Sequence, residues 1–387
     1  MGNCFTKKKF NIQYHYNTDK KQYEGLYINK KKYGFCIEFN INEIKIFEGQ
    51  FYNDKKNGLG IIYNDNNKIF EGYFIDNIKN GYGKEFINNK LYYEGDWSNN
   101  MKNGNGTIYN LNDETIYFTG IFINDNKQGY GKLYYNNFTL KLEGFWNNNI
   151  LISGTEYWLN NNIKYKGFFK DDKYYNKSLI YLENGFLHYD GNCLDGYKHG
   201  YGIEYDNNNN IIYEGTYINN IKNGYGKIYN NNILIYEGHI LNNKKNNYGK
   251  YYNNNIKYIG FFKNDFFDGK GKLYDNNNII YKGQFKFGLK HGYGILYSNN
   301  IKLYEGNFIN DSKQGMGTLY YDNSNIFYKG NFINDLRNNY GILYFKNQNI
   351  LYKGYWENNM AHGYGEEYDK NNNLIYKGNW KYNIQIN

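Results

Sequence analysis

Residues 70–95 read FEGYFIDNIKNGYGKEFINNKLYYEG, and this stretch decides the fold. Two aromatic-x-Gly triplets bound it, Phe70-Glu71-Gly72 and Tyr93-Glu94-Gly95, with Gly81-Tyr82-Gly83 and a following aromatic, Phe86, between them. The unit recurs from Tyr23-Glu24-Gly25 to Tyr376-Lys377-Gly378. Sixteen triplet glycines, at 25, 49, 72, 95, 120, 144, 167, 191, 215, 238, 260, 283, 306, 330, 354 and 378, mark fifteen intervals that average about 23.5 residues. From each triplet glycine to the second glycine position of the next Gly-x-Gly pair the distance is 11 residues in fourteen of fifteen units; the exception is Gly144 to Gly154. From the following aromatic to the next triplet glycine it wanders between 8 (Tyr252 to Gly260) and 11 (Tyr109 to Gly120). One connection is geometrically fixed and the other is a tolerant loop.

A fixed short connection between two aromatic runs is what a β-hairpin requires, because the turn sets the register. A unit this short cannot bury an apolar face alone, so hairpins must stack on their neighbours. A large residue sits two positions after most triplet glycines, for example Phe74, Trp97, Phe122, Trp146, Phe285 and Trp356. With the aromatic two positions before, this places aromatic, Gly, aromatic along one strand face. Successive hairpins then form one aromatic ladder, and glycine leaves room for a ring against the backbone. Asn247 and Asn339 replace the first glycine of the pair. Asn is the residue that best tolerates a left-handed backbone after Gly, so that position is expected to need positive φ.

The pattern resembles the MORN repeat (membrane occupation and recognition nexus), a unit of about 23 residues of the form Tyr-x-Gly-x-[Trp/Phe] followed by Gly-x-Gly and an aromatic. The resemblance covers residues 23–387. It implies an all-β fold, an elongated twisted antiparallel sheet of about 15 stacked hairpins forming a rod or gentle spiral, that acts as a scaffold, linker or membrane-proximal surface. The expected organisation is a flexible, acylated basic tail over 1–22 and a repeat array over 23–387, degenerate at about 145–195. There Ile152 and Asn176 take the first glycine position, Ser178 the second, and Cys193 a core aromatic position; Cys36 also replaces a second glycine. These departures read as drift in a tolerant array or, more sharply, as a bend or partner contact.

Composition closes off other classes. The 387 residues include 44 Gly, 50 Tyr, 26 Phe and no Pro. Without proline or a three-residue glycine period the chain is not collagen-like, and its aromatic content and regular pattern disfavour disorder. No run of about 18 apolar residues offers a membrane span or signal core, so the chain is expected on the cytoplasmic side. Cys4, Cys36 and Cys193 form neither a disulfide framework nor a zinc spacing. Asn is abundant while Ala361 and Arg337 are the sole alanine and arginine, a skew that AT-rich codons explain. The Asn runs therefore read as ordinary turns.

The strongest functional signal precedes the repeats. Met1-Gly2-Asn3-Cys4-Phe5-Thr6-Lys7-Lys8-Lys9 fits the N-myristoylation pattern, with Gly2 as acceptor, Cys4 placed for palmitate, and Lys7, Lys8 and Lys9 for anionic lipid. A single myristoyl chain binds membrane only marginally, so the second signal matters. Residues 1–22 carry five lysines against Asp19, a charge of +4 out of the formal +9. The remainder is too dilute, and too poor in arginine, for nucleic acid.

Gly-Tyr-Gly-Lys at 81–84, 129–132 and 224–227 completes no phosphate-binding loop and opens no helix. His199, His291 and His362 precede such pairs in different repeats and read as polar turn residues rather than metal ligands. No acid, base or nucleophile constellation is present, so neither an enzyme nor a cofactor or metal site is expected. One gradient stands out. The residue before the triplet glycine is Glu24, Glu48, Glu71, Glu94 and Glu143 early on but Lys282, Lys329, Lys353 and Lys377 near the end, a basic stripe suited to homodimerisation or anionic lipid. The reading is a non-catalytic, lipid-anchored repeat scaffold on the cytoplasmic face of a membrane, linking protein partners. The alternatives are a structural subunit of a cytoskeletal or ciliary (axonemal) assembly, and a phosphoinositide-binding module.

Overall fold

The computed structural model describes residues 9–135 and 139–386. The chain divides into two compact units, Met1–Tyr197 and Lys198–Asn387. Among the described residues all regular structure is strand. In the first unit the strands run from Lys9–Tyr14 to Leu187–Leu194, and each pairs antiparallel with the next in sequence, giving an open sheet of consecutive hairpins. The second unit repeats this plan from Tyr197–Tyr205 to Ile384–Ile386.

Glycine sets the register. In hairpin after hairpin the triplet glycine lies directly opposite the second glycine of the following pair: Gly72 opposite Gly83, Gly215 opposite Gly226, Gly283 opposite Gly294. The next strand repeats the pairing, Gly83 with Gly95 and Gly294 with Gly306, so a row of glycines crosses each sheet. The core aromatic two residues before the triplet glycine folds over this row. A Cβ on Gly260 would sit 2.5 Å from both the Gly271 Cα and the Tyr258 hydroxyl. Glycine at both positions leaves the most room for the ring, and where the second is replaced the substituent is small, as at Cys36 and Ser178.

Immediately after the paired glycines the ladder bulges. In most hairpins the residue following the triplet glycine has no partner on the next strand, as the register shifts between Gly215 and Tyr217 and between Gly283 and Phe285 show. Its carbonyl is recovered by the core tyrosine: the Tyr213 hydroxyl donates to Thr216 O at 3.0 Å and that of Tyr281 to Gln284 O at 3.0 Å. This explains why tyrosine recurs at a fully buried position, since a buried carbonyl without a partner costs about 1–3 kcal/mol. On the partner strand the first glycine of the pair absorbs the bulge with positive φ, as at Gly81 (96°), Gly224 (104°) and Gly269 (101°). Asn176, Asn247 and Asn339 take φ of 57°, 54° and 56° there, as the sequence implies.

The aromatic ladder runs in long stretches, with the aliphatic Leu142 in the first unit and Ile240 in the second taking ring positions. Phe70 meets Phe74 at 5.5 Å and Trp97 at 5.1 Å, and Tyr304 meets Phe308 at 5.2 Å and Phe332 at 5.3 Å, all edge-to-face. Over this face lies a file of cations, present in most hairpins and replaced by Leu151, Tyr174, Phe267 and Ala361 in the others. Lys79 Nζ stands 4.2 Å from the Phe70 ring centre and 4.6 Å from that of Trp97, and Arg337 takes the same place over Trp356 at 4.3 Å. Burial lowers the pKa of Lys79 and of Lys127.

The fixed connections are two-residue turns with both residues left-handed, such as Asn99 (53°) and Asn100 (67°) or Asn264 (49°) and Asp265 (74°), the geometry that matches strand twist. Asparagine is thus selected by backbone conformation here, which base composition alone does not account for. The second turn residue also reaches the preceding repeat. Asn100 Oδ1 accepts the N–H of Lys79 at 2.9 Å, and the Asn100 N–H donates to the Lys79 carbonyl at 3.1 Å. Lys32 with Asp54, Lys222 with Asn243 and Arg337 with Asn359 repeat this reciprocal pair. Asn100→Ala therefore loses about 2 kcal/mol, from the strained φ and the unpaired amide together. Asn100→Gly recovers roughly half of that, because only the side-chain bond is missing; the urea midpoints of the two variants measure the difference.

One sequence expectation is revised. Residues 9–14, assigned to a flexible tail, form a strand paired with Lys21–Ile28, Lys9 lying opposite Tyr27. The alternation Phe10, Ile12, Tyr14 supplies a strand pattern without glycine, so a count of triplets misses it. Around 145–195 the strands stay paired in order up to Leu187–Leu194. Ser178 is buried where a glycine would be, its hydroxyl 3.0 Å from that of Tyr165.

Candidate functional site

One face of each sheet is consumed by the ladder and its lysine cover. The opposite face carries the residues before the triplet glycines and after the second glycines, and it is the surface on which function can act. Antiparallel pairing interleaves the two sets. Across the first unit the row reads Glu24, Ile37, Glu48, Ile61, Glu71, Lys84, Glu94, Thr107.

The carboxylates in this row are clasped. Glu143 accepts from the Tyr157 hydroxyl at 2.5 Å and the Tyr130 hydroxyl at 2.7 Å, with Lys132 at 3.7 Å. Glu94 accepts from Tyr109 at 2.6 Å beside Lys84 at 3.2 Å, and Glu214 from Tyr201 at 2.5 Å and Tyr229 at 2.9 Å. The tyrosine hydroxyls, Tyr157 foremost, hold the Glu143 carboxyl below the usual range, and Tyr201 does the same for Glu214. In return, the bond to the carboxylate and then burial push the Tyr130 and Tyr201 phenols up to about 12. The tyrosines come from the middle of the Gly-x-Gly pair and from the aromatic three residues after it. The outer face is therefore a lattice of neutralised, mutually held polar groups.

Of the residues singled out from sequence, Gly2, Cys4, Lys7 and Lys8 lie outside the described residues. Lys9 is the exposed first residue of its strand. Lys282, Lys329, Lys353 and Lys377 share the outer face, but the structure divides them. Lys353 and Lys377 flank Glu366 at 2.7 and 3.0 Å, and these bonds, that of Lys353 first, hold its carboxyl down at about 2. Lys329 lies between Thr318 and Ile342. Lys282 lies opposite another lysine, Lys272. His199 Nδ1 sits 3.3 Å from Asn219 Oδ1, and His362 Nε2 3.4 Å from Glu357, as turn-proximal polar contacts. Reading one strand per hairpin missed the interleaved lysines. The signal was available, because residues equidistant from two paired glycines must face each other.

The profile of the MORN repeat matches twelve segments: residues 47–68, 70–90, 93–109, 118–139, 189–211, 213–232, 236–255, 258–279, 281–300, 304–326, 328–350 and 352–374. The one long gap between matched segments coincides with the degenerate hairpins. No curated protein matches the chain. Among solved structures, the crystal structures of TcdB2-TccC3-Cdc42 and TcdB2-TccC3-TEV match at 10% identity, covering 96% and 94% of this chain with TM-scores of 0.14 and 0.17. This chain spans 22% and 23% of the length of those chains, and at such scores the likeness carries no argument about it.

Proposed function

The chain belongs to the MORN repeat family, and on that premise we propose that it is a non-catalytic scaffold carried to the cytoplasmic face of a membrane by an acylated N-terminus. The observation that carries the scaffold reading is the division of labour between the faces. The hairpins spend their paired glycines and core aromatics on joining their neighbours, and most present outward clasped carboxylates and tyrosines. Such a surface suits macromolecular contact along its length rather than chemistry at one point.

The anchoring reading rests on residues 1–9. Gly2, Cys4 and Thr6 satisfy the acylation pattern, and Lys7, Lys8 and Lys9 follow at once. Two lipid chains, or one chain and a basic cluster, are needed for stable attachment. In cells fed alkyne-myristate, wild type takes up label and pellets with membranes, while Gly2→Ala takes up none and moves to the soluble fraction. Cys4→Ser retains label but loses most of its membrane residence. Unchanged fractionation of Gly2→Ala would refute the anchor and leave the scaffold reading standing.

A further inference from the structure

The second unit interrupts the outer lattice over its longest stretch between Glu237 and Glu305. From strand Lys244–Asn253 to strand Leu289–Ser298 the row reads Lys250, Ile259, Lys272, Lys282, Ile295. Lys250 is answered by Glu237 at 3.6 Å. Beyond it the carboxylate that normally precedes the triplet glycine is Ile259 in one hairpin and Lys282 in the next, so Lys272 and Lys282 face each other across the strand pair. Like charges directly opposite are destabilising in an antiparallel pair. Lys270 adds a third cation one turn of the pleat away, and among the described residues none of the three forms an ion pair. They border an open groove of about 790 Å³ that contains no carboxylate. Phe261 and Tyr248, edge-to-face at 5.7 Å, rise on one side of it and Tyr293 on the other. All three rings are about half exposed.

We propose that this groove is the docking site for an extended acidic peptide of a partner protein, one that carries neighbouring carboxylates flanked by apolar side chains along one of its faces. Charge decides the sign of the occupant: three uncompensated lysines meet no acid from their own sheet. Spacing decides its form. Five strands at about 4.8 Å apart span about 19 Å, the length of roughly six extended residues, and along that line two adjacent lysines, Lys272 and Lys282, stand between the aliphatic Ile259 and Ile295. A peptide laid across the strands presents carboxylates to Lys272 and Lys282 and apolar side chains to Ile259, Ile295 and the flanking rings. Lysines here act as point charges, and the chain's sole arginine, the residue suited to bidentate phosphate recognition, lies elsewhere. The proposal names the chemistry of one client of the scaffold and so rests on that reading, not on the anchor.

The test uses full-length protein carrying Gly2→Ala, so that acylation contributes nothing. The probe is a fluorescein-labelled peptide of about seven residues with Leu, Glu, Glu and Phe at every second position, so that all four share one face, followed by anisotropy, with a Lys-for-Glu peptide and phosphatidylserine vesicles as comparison arms. The Glu peptide binds with micromolar affinity that weakens with salt; the Lys peptide does not bind. Lys272→Gln with Lys282→Gln weakens binding tenfold or more without lowering Tm. Lys282→Glu, which turns the repelling pair into an attracting one, abolishes binding and raises Tm. No peptide binding by wild type, equal binding by the double variant, or binding confined to vesicles would each overturn the proposal. So would a lower Tm in both variants, which would make the lysines structural.

Discussion

Gly260→Ala destabilises the second unit by about 3 kcal/mol. The added Cβ meets the Gly271 Cα at 2.5 Å, the Lys270 carbonyl oxygen at 2.7 Å and the Tyr258 hydroxyl at 2.5 Å. Two of these three neighbours are backbone, so no rotamer change relieves the crowding. The expected readout is a lower urea midpoint together with faster amide exchange in the strands Ile256–Lys263 and Phe266–Asp275, since each hairpin leans on its neighbours. Gly315→Ala is the control. Its Cβ finds only Asn307 Nδ2, at 3.8 Å, but its φ is +71°, so the cost is conformational and about 1 kcal/mol. Gly315→Asn is close to neutral, as the natural asparagines at 176, 247 and 339 imply. Equal losses for Gly260→Ala and Gly315→Ala would contradict the paired-glycine account of the register.

The second large effect is alkaline unfolding. Burial pushes the phenols of Tyr165, Tyr213 and Tyr352 up to about 12, and it raises those of Tyr93, Tyr236, Tyr258, Tyr281, Tyr304 and Tyr328 further. The folded state favours the protonated phenol. Its contribution is intact below the ordinary value near 10 and is lost as pH rises from there toward the folded value. Each such tyrosine costs about 1.4 kcal/mol per pH unit. Five of them exhaust a stability of about 7 kcal/mol within one unit. The sheet should therefore collapse between about pH 10 and pH 11, with the loss of β-sheet circular dichroism and the rise of phenolate absorbance occurring together and steeply. Phenolate appearing smoothly around pH 10 with the dichroism unchanged would show that these rings are not sealed.

Much of this architecture is legible in the sequence, because glycine and aromatic positions are constrained by contacts that no other residue can make. The fixed spacing from Gly72 to Gly83 announces the hairpin, and Asn247 and Asn339 betray a left-handed position. What escapes is whatever depends on a partner strand rather than on local order. The clasp of Glu143 by Tyr130 and Tyr157, and the neutralisation of Lys353 and Lys377 by Glu366, follow from cross-strand register and are invisible in a reading of one strand at a time. In the sequence the asparagines of the turns look like any other polar loop residue, and codon usage accounts for their number. Their reciprocal bonds to the preceding repeat appear only when two hairpins are placed side by side. The strand Lys9–Tyr14 lacks glycine and so lacks the signal on which the reading depends.

The bulge beside the paired glycines has a further consequence, seen where one residue is missing. In the usual hairpin Gly120 faces Gly131 and Phe122 faces Lys127, leaving two surplus residues, Gly129 and Tyr130, on the partner strand. In the short hairpin Gly144 faces Gly154 and Trp146 faces Leu151, with a single surplus residue, Ile152. The deletion is swallowed whole by the bulge, and the segments on either side keep their faces: Leu151 is buried where Lys127 covers the ladder. In an unbulged strand the same loss would invert every side chain beyond it. The bulge thus serves as an expansion joint, confining an error of length to one hairpin and letting a long array accumulate insertions and deletions without losing its inside from its outside.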